Sequence, residues 1–193
     1  GDHLLRRRRA VESVGDGTLT NLGSIARYDT TANSWHALSN QGLSLWPVLV
    51  LAVDGSDLYV GGGFAQTGDG TLTDLGHIVR YDTLTNTWHA LPKQGLADVP
   101  WVLAMDGSDL YMGGQFTQTG DRTLTNLGHI ARYDTIAGAW HALSNQGLSG
   151  NAVRVLGVSG DDLYVGGEFS QTGDGALTNL GSIARYDTTA NSW

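Results

Sequence analysis

The hexapeptide DLYVGG at residues 57–62 returns as DLYMGG at 109–114 and again as DLYVGG at 162–167. Its apolar and aromatic centre reads as a β-strand, and its glycine pair as the strand's end. A second string keeps the same beat: IARYD or IVRYD places Arg27, Arg80, Arg132 and Arg185 at spacings of 53, 52 and 53 residues. The copies are close to identical. LTNLGSIARYDTTANSW stands at 19–35 and, unchanged, at 177–193, while WHALSNQGLS stands at 35–44 and at 140–149. Such a period marks a chain built from one supersecondary unit used several times.

Within one period, VLVLAVDG (48–55) is a compact apolar run ending in a turn, and DLYVGG follows it. After the polar loop QTGDGTLTDLG (66–76) come HIVRYDT (77–83) and TWHAL (87–91). Tight turns join the first strand to the second and the third to the fourth, so the unit is a four-stranded antiparallel meander. No segment carries apolar residues at i, i+3, i+4 and i+7, which predicts almost no helix. The chain then divides into a partial unit at 1–43, units at 44–92 and 97–144, and a unit at 149–193 that stops within its fourth strand.

The marked residues are the doublets Gly61-Gly62, Gly113-Gly114 and Gly166-Gly167, then Tyr28, Tyr81, Tyr133 and Tyr186, with Trp35, Trp88, Trp140 and Trp193 each seven residues after its tyrosine. Together they resemble the repeat of kelch and galactose-oxidase central domains, in the LYVGGxF form found in bacterial surface proteins. The resemblance covers the chain beyond residue 14. It implies an all-β fold, a β-propeller of kelch-like four-stranded blades with about three and a half blades in this chain, where closed rings have roughly 4 to 8. It also implies an extracellular or cell-surface setting within a larger secreted or surface protein or, if the chain is whole, a ring completed as a homo-oligomer. In a propeller, Ala52, Ala104 and Gly157 fall on the innermost strand, where backbones crowd. The glycine doublet suits a strand end that bends, or takes positive φ, under a packed neighbour.

Composition limits the function classes. The chain has 193 residues, 40% hydrophobic and only 16% charged, as in globular proteins. It lacks cysteine, which excludes disulfides, thiolate metal sites, cysteine nucleophiles and a copper radical site of the galactose-oxidase kind. The formal charge is -8, and apart from Arg6–Arg9 the chain sets 19 acidic residues against seven basic ones. An acidic body repels phosphate backbones and anionic lipid, so nucleic acid is not an expected partner. No apolar run approaches the roughly 18 residues of a membrane helix, so membrane insertion is not expected either. Residues 1–14 lack the apolar stretch of a signal peptide.

The four consecutive arginines stand apart from this acidic body. GDHLLRRRRAVESVGDG (1–17) occupies the place of GDDLYVGGEFSQTGDG (160–175), with matching flanks and a mismatched centre. One inserted base in codons for Leu-Tyr-Val-Gly-Gly-Glu yields Leu-Leu-Arg-Arg-Arg-Arg, the sequence of Leu4–Arg9. The expectation is a frame-shifted glycine-doublet strand; a solvated basic tail and a nucleic-acid or lipid handle are the alternatives. Unpartnered arginines do not fit a buried strand, so residues 1–14 are expected to be misfitted there.

Catalysis has no candidate constellation. His36, His89 and His141 recur at one position of successive units, as do His77 and His129, and equivalent positions of a ring diverge rather than converge on a substrate. VGGGFAQTG (60–68) fits neither dinucleotide nor P-loop patterns, and G-x-S-x-G is absent. No cofactor is implied. Ca²⁺ is conceivable at Asp69, Asp121 and Asp174, but their loops lack the alternating carboxylates of a calcium loop, and Asp-Gly turns explain them. The pairs Arg27/Asp29, Arg80/Asp82, Arg132/Asp134 and Arg185/Asp187 share a strand face and suggest ion pairs between neighbouring blades.

A meander brings its second-to-third-strand loops and its unit-to-unit loops to one end. Candidate ligand-binding residues therefore lie there: Asn40, Gln41, Trp46, Gln66, Asp69, Gln118, Asp121, Asn145, Gln146, Gln171 and Asp174. The unit-to-unit loops vary most, at Leu45-Trp46, Ala97-Asp98 and Gly150-Asn151, and an exposed Trp46 could stack on a sugar or a partner side chain. These features point to a non-catalytic scaffold that binds protein or glycan through its loop face. A lectin, or the propeller portion of a carbohydrate-active enzyme, is the alternative.

Overall fold

The computed structural model describes residues 19–44 and 46–193; the arginine run, its frame-shift interpretation and Leu45 lie outside the described residues. The first period contributes β1 (Ala26–Asp29) and β2 (Ser34–Ala37). The second gives β3 (Val48–Asp54), β4 (Asp57–Gly62), β5 (Ile78–Asp82) and β6 (Thr87–Ala90), and the third β7 (Pro100–Asp106), β8 (Asp109–Gly114), β9 (Ile130–Asp134) and β10 (Ala139–Ala142). The fourth gives β11 (Leu148–Ser159), β12 (Asp162–Thr172) and β13 (Ile183–Asp187). Each period forms its own antiparallel sheet, with strands side by side in chain order. Among the described residues the only helical-type segments are the three-residue turns Ser39–Gln41, Pro92–Gln94 and Ser144–Gln146.

The turns between third and fourth strands are held by the aspartates of RYD. Asp29 accepts the backbone N–H groups of Thr31 and Ala32, Asp82 those of Leu84 and Thr85, and Asp134 those of Ile136 and Ala137. These bonds hold the carboxyls of Asp29, Asp82 and Asp134 below the usual aspartate range. The expected ion pairs between units are therefore corrected. The arginines pair within their own sheets: Arg80 with Asp57 at 2.8 Å, Arg132 with Asp109 at 2.9 Å and Arg185 with Asp162 at 3.0 Å. Register explains the choice, since Arg80 sits opposite Tyr59 and Asp57 lies two residues along the same face. Partly exposed pairs of this kind contribute about 1 kcal/mol at most, so they do not hold the units together.

Packing does. Three apolar clusters lie between successive sheets. One gathers Leu38, Leu43, Val60, Phe64, Leu75, Val79, Tyr81 and Trp88 between the first and second units. The next gathers Tyr59, Ile78, Leu96, Met112, Phe116, Tyr133 and Trp140 between the second and third. The last gathers Tyr111, Ile130, Leu148, Val153, Val165, Phe169 and Tyr186 between the third and fourth. The second and third units thus bury both of their faces, one against each neighbour. The rings of Tyr81 and Trp88, Tyr133 and Trp140, and Tyr186 and Trp193 lie 4.5, 5.0 and 4.9 Å apart. Such pairs add about 0.5–1.5 kcal/mol beyond area burial. Each of these tryptophans also donates its ring N–H to the turn leaving the preceding unit: Trp88 to Ser39 O at 3.0 Å, Trp140 to Pro92 O at 2.9 Å and Trp193 to Ser144 O at 3.0 Å.

The glycine doublet serves close approach, not positive φ. A Cβ on Gly113 would lie 2.3 Å from Cγ1 of Val153 in the next unit, and one on Gly61 would lie 2.8 Å from Cγ of Pro100. The second glycine meets its own unit: a Cβ on Gly62 would lie 2.3 Å from Pro47 O. The crowding expected at Gly157 is not found, for a Cβ there would meet nothing within 4 Å. Gly113→Ala should therefore lower stability by about 1–3 kcal/mol. Its counterpart Gly166→Ala, with its nearest neighbour 3.7 Å away, should stay within about 0.5 kcal/mol of the parent. Urea unfolding of both variants checks this.

Candidate functional site

The two predicted loop sets meet at one end of the stack and interlock across units. The turn leaving one unit lies between two glycine loops. The carbonyl oxygen of Gln94 would sit 1.6 Å from a Cβ on Gly76 of its own unit and 2.1 Å from one on Gly120 of the next. Gly76 is at φ +57°, so both space and conformation require glycine there. The same wedge recurs with Gln41 against Gly68 and Gln146 against Gly173. Backbone bonds close it: Gly68 N–H to Gly42 O at 2.9 Å and Asp69 N–H to Asn40 O at 3.0 Å, with counterparts in the next two units.

The predicted aspartates belong to this joint. Asp69 accepts the hydroxyls of the buried Thr67 and of Thr71, each at 2.8 Å, the Thr71 N–H at 3.0 Å and the Asn40 side-chain amide at 3.0 Å. Asp174 likewise accepts from Thr172, Ala176 N–H and Asn145, and Asp121 from Thr119 and Thr123. In each the neighbouring backbone N–H is the main cause that holds the carboxyl below the usual range, with the side-chain donors adding to it. Their oxygens are thus engaged within the loops. Among the described residues no group of three or more His, Cys, Asp or Glu is arranged to hold a metal.

The remaining predicted residues divide. Gln66 and Gln118 are half-buried, and their backbone carbonyls accept the N–H groups of Ser44 and Ala97. Gln41 and Gln146 are exposed on turns where two successive residues have positive φ: Asn40 and Gln41 at 54° and 58°, Asn145 and Gln146 at 54° and 58°. Asparagine tolerates that conformation. The second copy has Lys93 at φ 57° instead, reaching Thr123 at 2.6 Å. His89 bonds Thr87 at its exposed strand, and His36 bonds Ser34.

A second layer shows only in three dimensions. Trp46 is 64% exposed and stands over Gly63, where a Cβ would lie 2.9 Å from that of Trp46. Its carbonyl accepts the Ser24 hydroxyl at 3.0 Å. The equivalent positions in the fourth unit are Asn151 and Glu168, which are bonded at 3.4 Å. Arg154 bonds Glu168 at 2.5 and 2.9 Å, and its guanidinium lies 3.9 Å from the centre of the Trp101 ring. Gln171 lines an open depression of about 630 Å³ with Asn151 and Glu168. Sequence analysis found the Trp46/Asp98/Asn151 series but missed Gly63/Gln115/Glu168 and Leu49/Trp101/Arg154. The available signal was variation between otherwise near-identical repeats at those positions.

No known family model matches the chain. A stretch of 84 residues, 44% of the chain, is 38% identical to the polarized growth protein rax2 of Schizosaccharomyces pombe and spans 6% of that protein's length. Among solved structures, the computationally designed Ika8 protein aligns over 74% of this chain and 33% of its own, with TM-score 0.42 and 14% identity. The GH74 xyloglucanase from Xanthomonas campestris aligns over 86% and 24%, with TM-score 0.40 and 13% identity.

Lys93→Asn should raise stability by about 0.5–1 kcal/mol by relieving the left-handed backbone, seen as a higher urea midpoint. The lowered aspartates give a pH sign. Their contribution is complete above the ordinary aspartate value of 3.8 and is lost only as pH falls below it. Carboxyl-carbon NMR titration should place the midpoints of Asp69, Asp121 and Asp174 below that value; midpoints at or above it would show that the loop bonds do not form.

Proposed function

We propose that the chain is a segment of a kelch-like β-propeller that acts, without catalysis, as a scaffold for protein or glycan binding at its loop end, on a secreted or cell-surface protein. Four features support the architecture: meander sheets, stacking in chain order, a packed aromatic pair in each joint and glycines where neighbouring units touch.

One observation carries the function. The repeats keep their DLY, glycine-doublet and RYD residues, while one group of the residues that differ gathers at the loop end: Trp46 over Gly63, and Asn151, Arg154 and Trp101 around Glu168. Invariant glycine wedges and capped aspartates fix the loops; the varied residues then meet solvent on a rigid support. That is the division of labour of repeat binders, whose extended surfaces recognise partners through a few positions per unit. Trp46 is the strongest single group there. Its flat, exposed ring can stack on a pyranose or on a partner's side chain.

Glycan and peptide arrays followed by calorimetry test the proposal. Saturable binding is expected, weakened by Trp46→Ala about tenfold or more, roughly 1.4 kcal/mol. Lys93→Asn should leave it unchanged. Turnover of a sugar by the purified chain would overturn the non-catalytic assignment.

A further inference from the structure

Tyr111, Arg132 and His141 form one row across three strands: Tyr111 of β8 stands opposite Arg132 of β9, and Arg132 opposite His141 of β10. The row faces the fourth unit, where Tyr111 and Tyr186 share an apolar cluster. Between row and unit lies a cavity of about 320 Å³, bounded on its far side by Tyr186, Thr188, Thr189 and Asn191. That volume is within the roughly 300–1,000 Å³ of small-molecule sites. The cavity shares no residue with the varied group at the loop end.

The second unit builds the same row from Tyr59, Arg80 and His89, and there the two basic groups are satisfied within the sheet. Arg80 bonds both oxygens of Asp57 at 2.8 Å, and His89 bonds the Thr87 hydroxyl at 2.9 Å. In the third unit Arg132 bonds one oxygen of Asp109, through Nη1 alone, and Ala139 stands where a hydroxyl would meet His141. Across the joint, Thr189 and Asn191 replace Ile136 and Gly138. Asn191 accepts the Tyr186 hydroxyl at its side-chain oxygen, which leaves its amide N–H groups. Among the described residues nothing meets the other N–H groups of Arg132, the ring of His141 or the hydroxyl of Tyr111. Tyr111 is 1% exposed. Burial pushes its hydroxyl up to about 12, so it stays a donor.

The unsatisfied groups at this cavity are therefore mostly donors, and one of them is a guanidinium. Hydrogen bonds from a guanidinium to an anionic oxygen are roughly twice as strong as neutral ones, so the complement of this lining carries acceptors and negative charge. We infer that the joint between the third and fourth units binds a small oxyanion, a carboxylate or a phosphate, with Arg132, Tyr111 and Asn191 donating to its oxygens and His141 beside them. Asp109 holds Arg132 by one nitrogen and so orients the guanidinium without saturating it. In the joint before, Thr87, Ile136 and Gly138 remove the same arrangement. The inference is independent of what the loop end binds.

Calorimetric titration of the 193-residue chain with inorganic phosphate and with acetate, at constant ionic strength set by chloride, tests it. Saturable binding of one anion per chain is expected, with a dissociation constant of about 1 mM or below. Binding of phosphate alone would assign a phosphoryl ligand, and of acetate alone a carboxylate. Tyr111→Phe, which removes only a hydroxyl, and Arg132→Gln should each weaken binding roughly tenfold or more. Ala139→Thr, which gives His141 the hydroxyl partner its counterparts have, should weaken it by a smaller factor. Arg80→Gln, the same change in the second unit, should leave it unchanged. Near-UV circular dichroism confirms that the variants are folded; if Arg132→Gln is not, Tyr111→Phe carries the test. Titrations with both anions that match the chloride blank, Tyr111→Phe binding as the wild type does, or an equal loss on Arg80→Gln overturns the inference.

Discussion

Each sheet of this protein is apolar on both faces, and that constraint organises everything else. A lone meander would leave Tyr59 and Ile78 on one side and Tyr81 and Trp88 on the other in water. Fully burying each large apolar side chain is worth roughly 1.5–3 kcal/mol, so several per joint outweigh the partly exposed Arg–Asp pairs by a wide margin. The sheets must approach closely to bury those side chains, and the first glycine of each doublet permits it: a methyl group at Gly113 would occupy the space of Val153. The tryptophan then ties the joint at its far edge with a ring N–H bond to the preceding unit. A buried hydrogen bond contributes only about 1 kcal/mol, but its direction fixes how one sheet sits on another, which apolar contact alone does not.

The loop end obeys a second rule, in which hydrogen bonds rather than apolar area set the geometry. The threonine–aspartate–asparagine network of Thr67, Asp69 and Asn40 spans two units, and the turn carbonyls lie so close to Gly68, Gly120 and Gly173 that no side chain could replace those glycines. The polar residues most suggestive of a ligand site are thus the ones already satisfied by the protein itself. Beside them on this support stand residues that differ from unit to unit, among them Trp46, Asn151 and Glu168, and the recurring glycine wedges hold their loops in place.

The strands and their order were legible because each leaves a mark at short range: glycine ends a strand, Asp-Gly makes a turn, and a period of 52 or 53 residues repeats both. The arginine pairing was misread for a physical reason. Spacing along one strand says which face Arg80 and Asp82 share, but not that a turn's free N–H groups claim Asp82 while Asp57, 23 residues away, lies diagonally across the sheet. Asn40 bonds Asp69 and Asn145 bonds Asp174, and these bonds depend on two units meeting, which no single-repeat pattern encodes. Trp101 and Arg154 lie in different units, and only the stacking brings the guanidinium over the ring.

The ring N–H bonds reach back 49, 48 and 49 residues, from the last strand of one unit to the turn that closed the one before. No contact of this kind asks the chain to remember anything more distant than its previous repeat. A chain emerging from a ribosome at roughly 5–20 residues per second would complete a joint every few seconds, each arriving tryptophan sealing the unit made just before it. Order of synthesis and order of packing then coincide. That coincidence guards a sequence with near-identical copies against its particular hazard, in which a strand pairs correctly with the wrong repeat.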